Sequence, residues 1–382
     1  MLSDLDRLMR ERALDVIVVP MHEAMHASFR WLSRGAKVTR GYAVKVLDRE
    51  PVLVAYPMER DEALASGLEV RLAHEFSSKP DDIEELYANM LGELGAGDSV
   101  AIFGNVPFHI YLDLAEGLED RGFRVHRALG EDLIQLARKR KDARELDAIR
   151  SVGERTEQVV DGVRAMLREA EAGRAMTLGD LKAFVSQEIA RLGMFEDHET
   201  ILSQGRDAGM PHSRGDASAP VRRSVPLVLD IFPGDKHTGY FFDLTRTFCI
   251  GPIPDELAHM HALVFEAFTR ARDAMRPGTP AASYQELVCD FFESHGFPTP
   301  RSHPKTFAGY VHGLGHGVGL DIHEMPSFAL TQQDLVEEGD VLTIEPGLYF
   351  PEREIGVRIE DTFVVRKGGV ETLCRGDYGL RP

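Results

Sequence analysis

Cysteine is scarce in this chain, and long apolar runs are missing. Its three cysteines, Cys249, Cys289 and Cys374, lie far apart and form no CxxC pair. Neither a disulfide framework nor a cysteine-bound zinc site is therefore expected, and each thiol reads as a small buried hydrophobe. No stretch of 18 apolar residues occurs, so no membrane-spanning helix is expected. Met1 to Arg12 mixes charges with apolar residues, unlike the uncharged apolar run of a secretory leader. Positive charge is in deficit, with 44 Lys and Arg against 62 Asp and Glu and a net charge of −18. That balance argues against nucleic acid and anionic membranes as partners, because both demand a basic face. A reducing cytoplasm fits all of these absences.

At 382 residues the chain is too long for one ordinary core. Residues 1–138 read as an N-terminal α/β domain. Helical spacing over Leu2–Arg12, Asp81–Leu94 and Ile110–Asp120 alternates with short apolar runs at Leu14–Pro20, Pro51–Tyr56 and Asp98–Phe103 that read as strands. The basic run Arg138-Lys139-Arg140-Lys141 is expected to be a solvated inter-domain stretch, since no wider basic patch accompanies it. Residues 139–382 read as a second, α+β domain. It opens with a long helix over Asp142–Ala172, stopped at Gly173, and a second helix over Leu178–Leu192. Strands are expected at Val225–Phe232, Tyr240–Ile250, Val341–Phe350 and Gly356–Val365, with helices near Asp255–Met275 and Ala281–His295 between them.

Five residues in this second domain carry the chemistry: Asp230, Asp243, His316, Glu345 and Glu360. Asp230 closes the apolar run Leu227-Val228-Leu229, and Asp243 follows Phe241-Phe242. Pro233 to His237 reads as the turn of a hairpin that brings the two aspartates side by side. Glu345 closes a third apolar run, Val341 to Ile344. Glu360 lies in Gly356-Val357-Arg358-Ile359-Glu360, where strand alternation puts Arg358 on its face. An arginine there can orient the carboxylate, meet a substrate anion, or form a cross-strand ion pair. Glycines at 313, 315, 317 and 319 forbid a stable helix. His312 and His316 are therefore no helical zinc pair, and the glycines let backbone pass close to a site. His323 follows seven residues after His316, placed to reach the same cavity. Four carboxylates drawn together raise one another's pKa, and a pair of divalent cations cancels that charge. The donor set is oxygen-rich, with one imidazole and no thiolate. It favours Mn(II), Co(II) or Fe(II), with Zn(II) also able to bind.

The segments LVLD, GYFFDLTRTF, HGLGHGVGLDIHEMP, LTIEPGLYF and GVRIEDT resemble the pita-bread metallopeptidases, and within them the proline-specific branch of Xaa-Pro dipeptidase (prolidase) and Xaa-Pro aminopeptidase. The resemblance covers nearly the whole chain. It implies an α+β fold, with a C-terminal pita-bread catalytic domain (139–382) behind a smaller N-terminal α/β, creatinase-like domain (1–138). It also implies a metallo-exopeptidase that hydrolyses the Xaa-Pro bond of dipeptides or short peptides. Two divalent metal ions, Mn(II) foremost, would be held by Asp230, Asp243, His316, Glu345 and Glu360. Glu345 would exchange the proton, His323 would stabilise the tetrahedral intermediate, and His212 would meet the substrate backbone. His312 would line the pocket, and Arg358 would support Glu360 or the substrate. A cytoplasmic homodimer acting on proline-containing peptides is implied as well. The alternatives are a methionine-aminopeptidase-like enzyme, a creatinase-like hydrolase and a binding module.

This chain departs from the pattern in three places. The thirteen-residue step from Asp230 to Asp243 is longer than is usual in relatives, and Phe232 stands where they carry glycine. The loop Ala329–Leu335 has no arginine to hold a dipeptide's free carboxylate, so no strict dipeptide preference is implied.

Overall fold

The structure is a computed structural model describing residues 2–22, 25–79, 82–127 and 132–382. Two compact units are present, Met1–Arg138 and Lys139–Pro382.

The first unit is built on a six-stranded sheet. Its strands are β1 (Val16–His22), β2 (Arg40–Val46), β3 (Val52–Ala55), β4 (Glu69–Leu72), β5 (Ser99–Ile102) and β6 (Arg124–Val125), in the order β4-β3-β2-β1-β5-β6. Helices Leu2–Glu11, Ile83–Glu93 and Phe108–Glu119 form where helical spacing predicts them. The strand β2 escapes sequence pattern because Lys45 interrupts its apolar run. In the fold Lys45 is fully buried and satisfied by Asp6 at 2.5 Å and by the carbonyls of Val46 and Arg49. A charge so satisfied can enter a core that would otherwise exclude it.

The second unit begins at the helix Ala143–Glu171. Its start is set by Asp142, whose side chain accepts from Glu145 N–H while Glu145 reaches back to Asp142 N–H. This reciprocal cap satisfies two amides that a helix start leaves open. The helix stops at Ala172, and Gly173 takes a φ of 107°. The cations of residues 138–141 are not solvated as expected. Lys141 donates to Glu324 at 2.8 Å, and Lys139 lies 3.0 Å from Glu337 and 3.5 Å from Asp340. Both lysines are buried, because carboxylates distant in sequence fold onto them.

Short strands follow: β7 (Met194–Phe195), β8 (Ile201–Gln204), β9 (Leu227–Ile231), β10 (Gly234–Asp235) and β11 (Leu244–Phe248). β9 is central between β8 and β11 and antiparallel to both. Leu227, Leu229 and Ile231 enter the core against helices Ala143–Glu171 and Leu178–Arg191. Asp230, by strand alternation, therefore faces away from that core. The remaining strands are β12 (His316–Gly317), β13 (Glu324–Ser327), β14 (Val341–Ile344), β15 (Gly347–Phe350), β16 (Ile355–Arg358), β17 (Asp361–Arg366) and β18 (Gly369–Thr372).

The apolar run Val341–Phe350 is two strands, not one. It breaks at Glu345-Pro346, where proline lacks the N–H a ladder needs. β14 pairs with β17, whereas β15 pairs with β16. A matching break at Ile359-Glu360 separates β16 from β17. Both glutamates therefore sit where one sheet hands over to another. Helices Asp255–Ala274 and Ala281–Ser294 pack a second core over these strands. The two halves of the unit meet at a bridge between Thr245 and Glu360. No helix among the described residues is long and apolar enough to cross a membrane.

Candidate metal centre

The five expected residues converge on one cavity of about 300 Å³. Asp230 stands opposite Thr245 on β11, and Asp243 directly precedes that strand. The link between them is more than a turn. Gly234-Asp235 pairs with Met194-Phe195, and Asp235 Oδ1 accepts from the amides of His237 and Thr238. Thr245 N–H donates to Glu360 O at 3.4 Å, and Glu360 N–H donates to Thr245 O at 3.2 Å. Glu345 is held by its own amide, which donates to Leu314 O at 2.8 Å. His316 arrives from the glycine-rich loop, whose glycines permit close backbone packing. A Cβ on Gly315 would come within 2.3 Å of Thr343 O, and one on Gly317 within 2.1 Å of Met325 O.

His316 Nδ1 lies 3.1 Å from Gly317 O. A carbonyl can only accept, so Nδ1 carries the proton and Nε2 presents a lone pair. That Nε2 lies 3.6 Å from Asp243 Oδ2 and 3.5 Å from Glu345 Oε1. Burial, reinforced by neighbouring His323, lowers the His316 pKa to about 3, so the ring is neutral near pH 7. The acids move the other way. Burial and then the Glu360 and Asp230 charges push Asp243 well above its ordinary value. Burial and the Glu360 charge do the same to Glu345, and burial with the Asp230 charge lifts Glu360 to about 8. Buried Asp243 Oδ1 and Glu360 Oε1 have no hydrogen-bond partner among the described residues. Ligand atoms of Asp243, His316 and Glu360 lie within 4.8 Å of one another. Orphaned carboxylate oxygens around a neutral imidazole lone pair are the donor set that a divalent cation satisfies. The residues therefore fit such an ion.

Arg358 does not contact Glu360 directly. Its Nη2 donates to Asp230 Oδ2 at 2.5 Å, its Nη1 to Tyr349 Oη at 2.8 Å and its Nε to Thr245 Oγ1 at 3.1 Å. Thr245 Oγ1 in turn donates to Glu360 Oε2 at 2.6 Å. Arg358 thus forms the cross-strand ion pair and reaches Glu360 only through a hydroxyl. His312 Nδ1–H donates to Gly313 O at 2.7 Å, leaving Nε2 to accept from Tyr349 Oη at 2.9 Å. Burial and the Arg358 charge lower the His312 pKa to about 3. Asp230, Arg358 and His312 therefore line the cavity as one chain, joined from behind by the buried Tyr349. Tyr349 and Thr245 are participants that sequence reasoning missed. Thr245 lies two residues after Asp243 on an alternating strand, and that spacing was the available signal. His323 packs edge-on against His316 with ring centroids 4.3 Å apart, and burial lowers its pKa. His212, His198, Phe232, Ile201, Pro211 and Ile322 also line the cavity.

A model of metallopeptidase family M24 matches residues 147–367. Among curated relatives, a peptidase of Methanocaldococcus jannaschii is 30% identical over 251 residues, covering 64% of this chain and 66% of the relative. An Xaa-Pro dipeptidase of Pyrococcus furiosus is 31% identical over 182 residues, covering 48% of this chain and 49% of the relative. The chain thus spans 66% and 49% of these two relatives' lengths. A probable dipeptidase of Mycobacterium tuberculosis is 31% identical over 294 residues, covering 77% of this chain and 72% of the relative. The crystal structure of an X-Pro aminopeptidase from Thermotoga maritima superposes with a TM-score of 0.81 at 23% identity, covering 98% of this chain and 99% of that one. The prolidase of Pyrococcus horikoshii superposes at 0.77 and 21% identity, covering 99% of each chain. At such identities the likeness establishes the fold. It is the α+β pita-bread arrangement expected from the sequence, preceded by an α/β unit.

Proposed function

The chain belongs to metallopeptidase family M24, and we propose that it is a metallo-exopeptidase removing the residue that precedes proline at the N-terminus of dipeptides or short peptides. The observation that carries this reading is the convergence of four acids and one neutral imidazole in a single cavity, with buried carboxylate oxygens left unpartnered. Two divalent ions, Mn(II) foremost, would be held by Asp230, Asp243, His316, Glu345 and Glu360. When bound, they supply Lewis-acid polarisation of the carbonyl and lower the pKa of a water.

The chain's own residues supply the rest. Glu345, whose carboxyl burial pushes upward, accepts the proton of the attacking water and returns it to the departing proline nitrogen. That nitrogen carries no hydrogen in the peptide, so the proton must be delivered to it. His323, beside His316 at the mouth, donates to the oxygen on which charge develops at the scissile carbonyl. His212 meets the substrate backbone, and neutral His312 lines the pocket, held from behind by Tyr349. Arg358 holds Asp230 in place at the cavity. Residues 139–382 would form the catalytic domain and residues 1–138 the smaller domain of a cytoplasmic homodimer.

A paired assay tests the proposal: an Xaa-Pro dipeptide against an Xaa-Pro tripeptide, after chelation and after return of Mn(II). Proline-specific cleavage that disappears with chelator and returns with Mn(II) is expected. Turnover of Met-Ala peptides in preference to either substrate would overturn the proline specificity.

A further inference from the structure

The cavity has an apolar wall that the chemistry above leaves unused. Phe232 and Ile201 line it, yet neither belongs to the two hydrophobic cores of residues 139–382. Strand register explains their placement. Ile201 stands directly across from Asp230 on β8, and side chains so paired share a face. Phe232 lies two residues past Asp230 and returns to that same face. The ladder between β9 and β11 keeps phase beyond the strand ends, since Gly234 bridges Phe241 and Phe242 N–H donates to Pro233 O. Phe232 therefore stands opposite Asp243. A half-buried phenyl ring occupies the surface that carries two of the acids, where a core would have no use for it.

We infer that Phe232 and Ile201 determine which first residue is accepted: they form the wall against which its side chain lies, and they favour large apolar residues such as leucine over glycine. The inference rests on the Xaa-Pro peptidase reading. An exopeptidase cuts after the first residue, so the substrate's amino end must lie inside this acid-lined centre. The first side chain branches from the carbon that bears this nitrogen, so it must fall on a surface next to Asp230 and Asp243. On the strand side that surface is a phenyl ring and a branched alkyl group, with no charge to pair. A leucine side chain there removes apolar area of both partners from water, and a glycine removes none.

Two measurements test this on the Mn(II)-loaded protein. The first is the ratio of kcat/KM for Leu-Pro over Gly-Pro in the wild type and in Phe232→Gly, Ile201→Ala and Phe232→Leu. The second is calorimetric binding of free leucine and free glycine. The wild type is expected to favour leucine by about tenfold or more in both, the scale on which apolar pockets discriminate. Phe232→Gly should erase roughly tenfold of that ratio, Ile201→Ala should erase less, and Phe232→Leu should keep most of it. An unchanged ratio in Phe232→Gly, or a wild type without preference, overturns the inference. If the wild type cleaves no Xaa-Pro peptide, the peptidase reading fails, and calorimetry alone judges the wall. Leucine binding that depends on Phe232 then supports it, and equal binding of leucine and glycine refutes it.

Discussion

Arg358 holds Asp230: the guanidinium donates to the carboxylate at 2.5 Å, and both side chains are largely removed from solvent. Tyr349 and Thr245 fix the other two edges of the guanidinium. Removing one partner of a buried pair leaves an uncompensated charge, a loss of about 3–5 kcal/mol. Arg358→Met is therefore expected to destabilise the metal-free protein by that amount in urea unfolding. Added Mn(II) should recover part of the loss by neutralising the acids. A change below about 1 kcal/mol, the scale of an exposed pair, would show that the pair holds nothing.

Glu345→Gln keeps the shape of the side chain and removes its capacity to exchange a proton. Turnover of an Xaa-Pro peptide should fall at least about 100-fold, the scale of general acid–base catalysis, while the thermal melt of the metal-free protein is retained or raised. The rise would come from removing one charge of a mutually repelling set. Turnover within a few-fold of wild type would remove Glu345 from the proton transfer.

The acids also set how stability depends on pH. Glu360 is raised from an ordinary 4.5 to about 8, and Asp243 and Glu345 are raised in the same direction. At these acids the folded protein binds more protons than the unfolded chain between those values, which makes stability fall as pH rises. The depressed His312 and His316 oppose this only up to their ordinary value of 6.5. Metal-free protein is expected to melt at a lower temperature at pH 8 than at pH 7, and saturating Mn(II) should flatten or reverse the slope. A metal-free melt that rises over this interval would contradict the repulsion among the acids.

Lys141 and Glu324 form a buried pair at 2.8 Å, with side chains 1% and 4% exposed. Glu324 also accepts from the amides of Leu320 and Asp321, so the pair anchors the loop that carries His323. Lys141→Met should destabilise the protein by about 3–5 kcal/mol in urea unfolding. Its effect on kcat/KM should exceed that of Arg144→Met, a change at a surface position of the neighbouring helix. Equal effects of the two substitutions would show that Lys141 is an ordinary surface cation.

Much of this protein is decided locally. The helix from Ala143 begins where Asp142 and Glu145 cap each other and ends where Gly173 supplies a positive φ, and all three residues can be read in order along the chain. The run Leu227-Val228-Leu229 names its own alternating face, and so places Asp230 opposite the core. Asp230, Asp243 and Glu345 announce themselves by ending apolar runs, and His316 by its run of alternate glycines. These features depend on neighbours within a few residues, and short-range sterics and hydrogen bonding are enough to specify them.

Other features depend on partners that sequence order does not bring together. Lys139 and Lys141 read as part of a solvated stretch and Lys45 as a break in an apolar run, and all three are buried because Asp340, Glu324 and Asp6 fold against them. The breaks at Glu345-Pro346 and Ile359-Glu360 turn two expected strands into four, since each half finds a different partner sheet. Alternation put Arg358 on the face of Glu360, yet its guanidinium went to Asp230, 128 positions away on a strand of a different sheet. The sequence alone determined which groups could bind metal and that they would face away from a core. Tertiary structure decided which charge answers which, because those pairs join helices, loops and separate sheets that meet only when the chain packs, and not residues near one another in order.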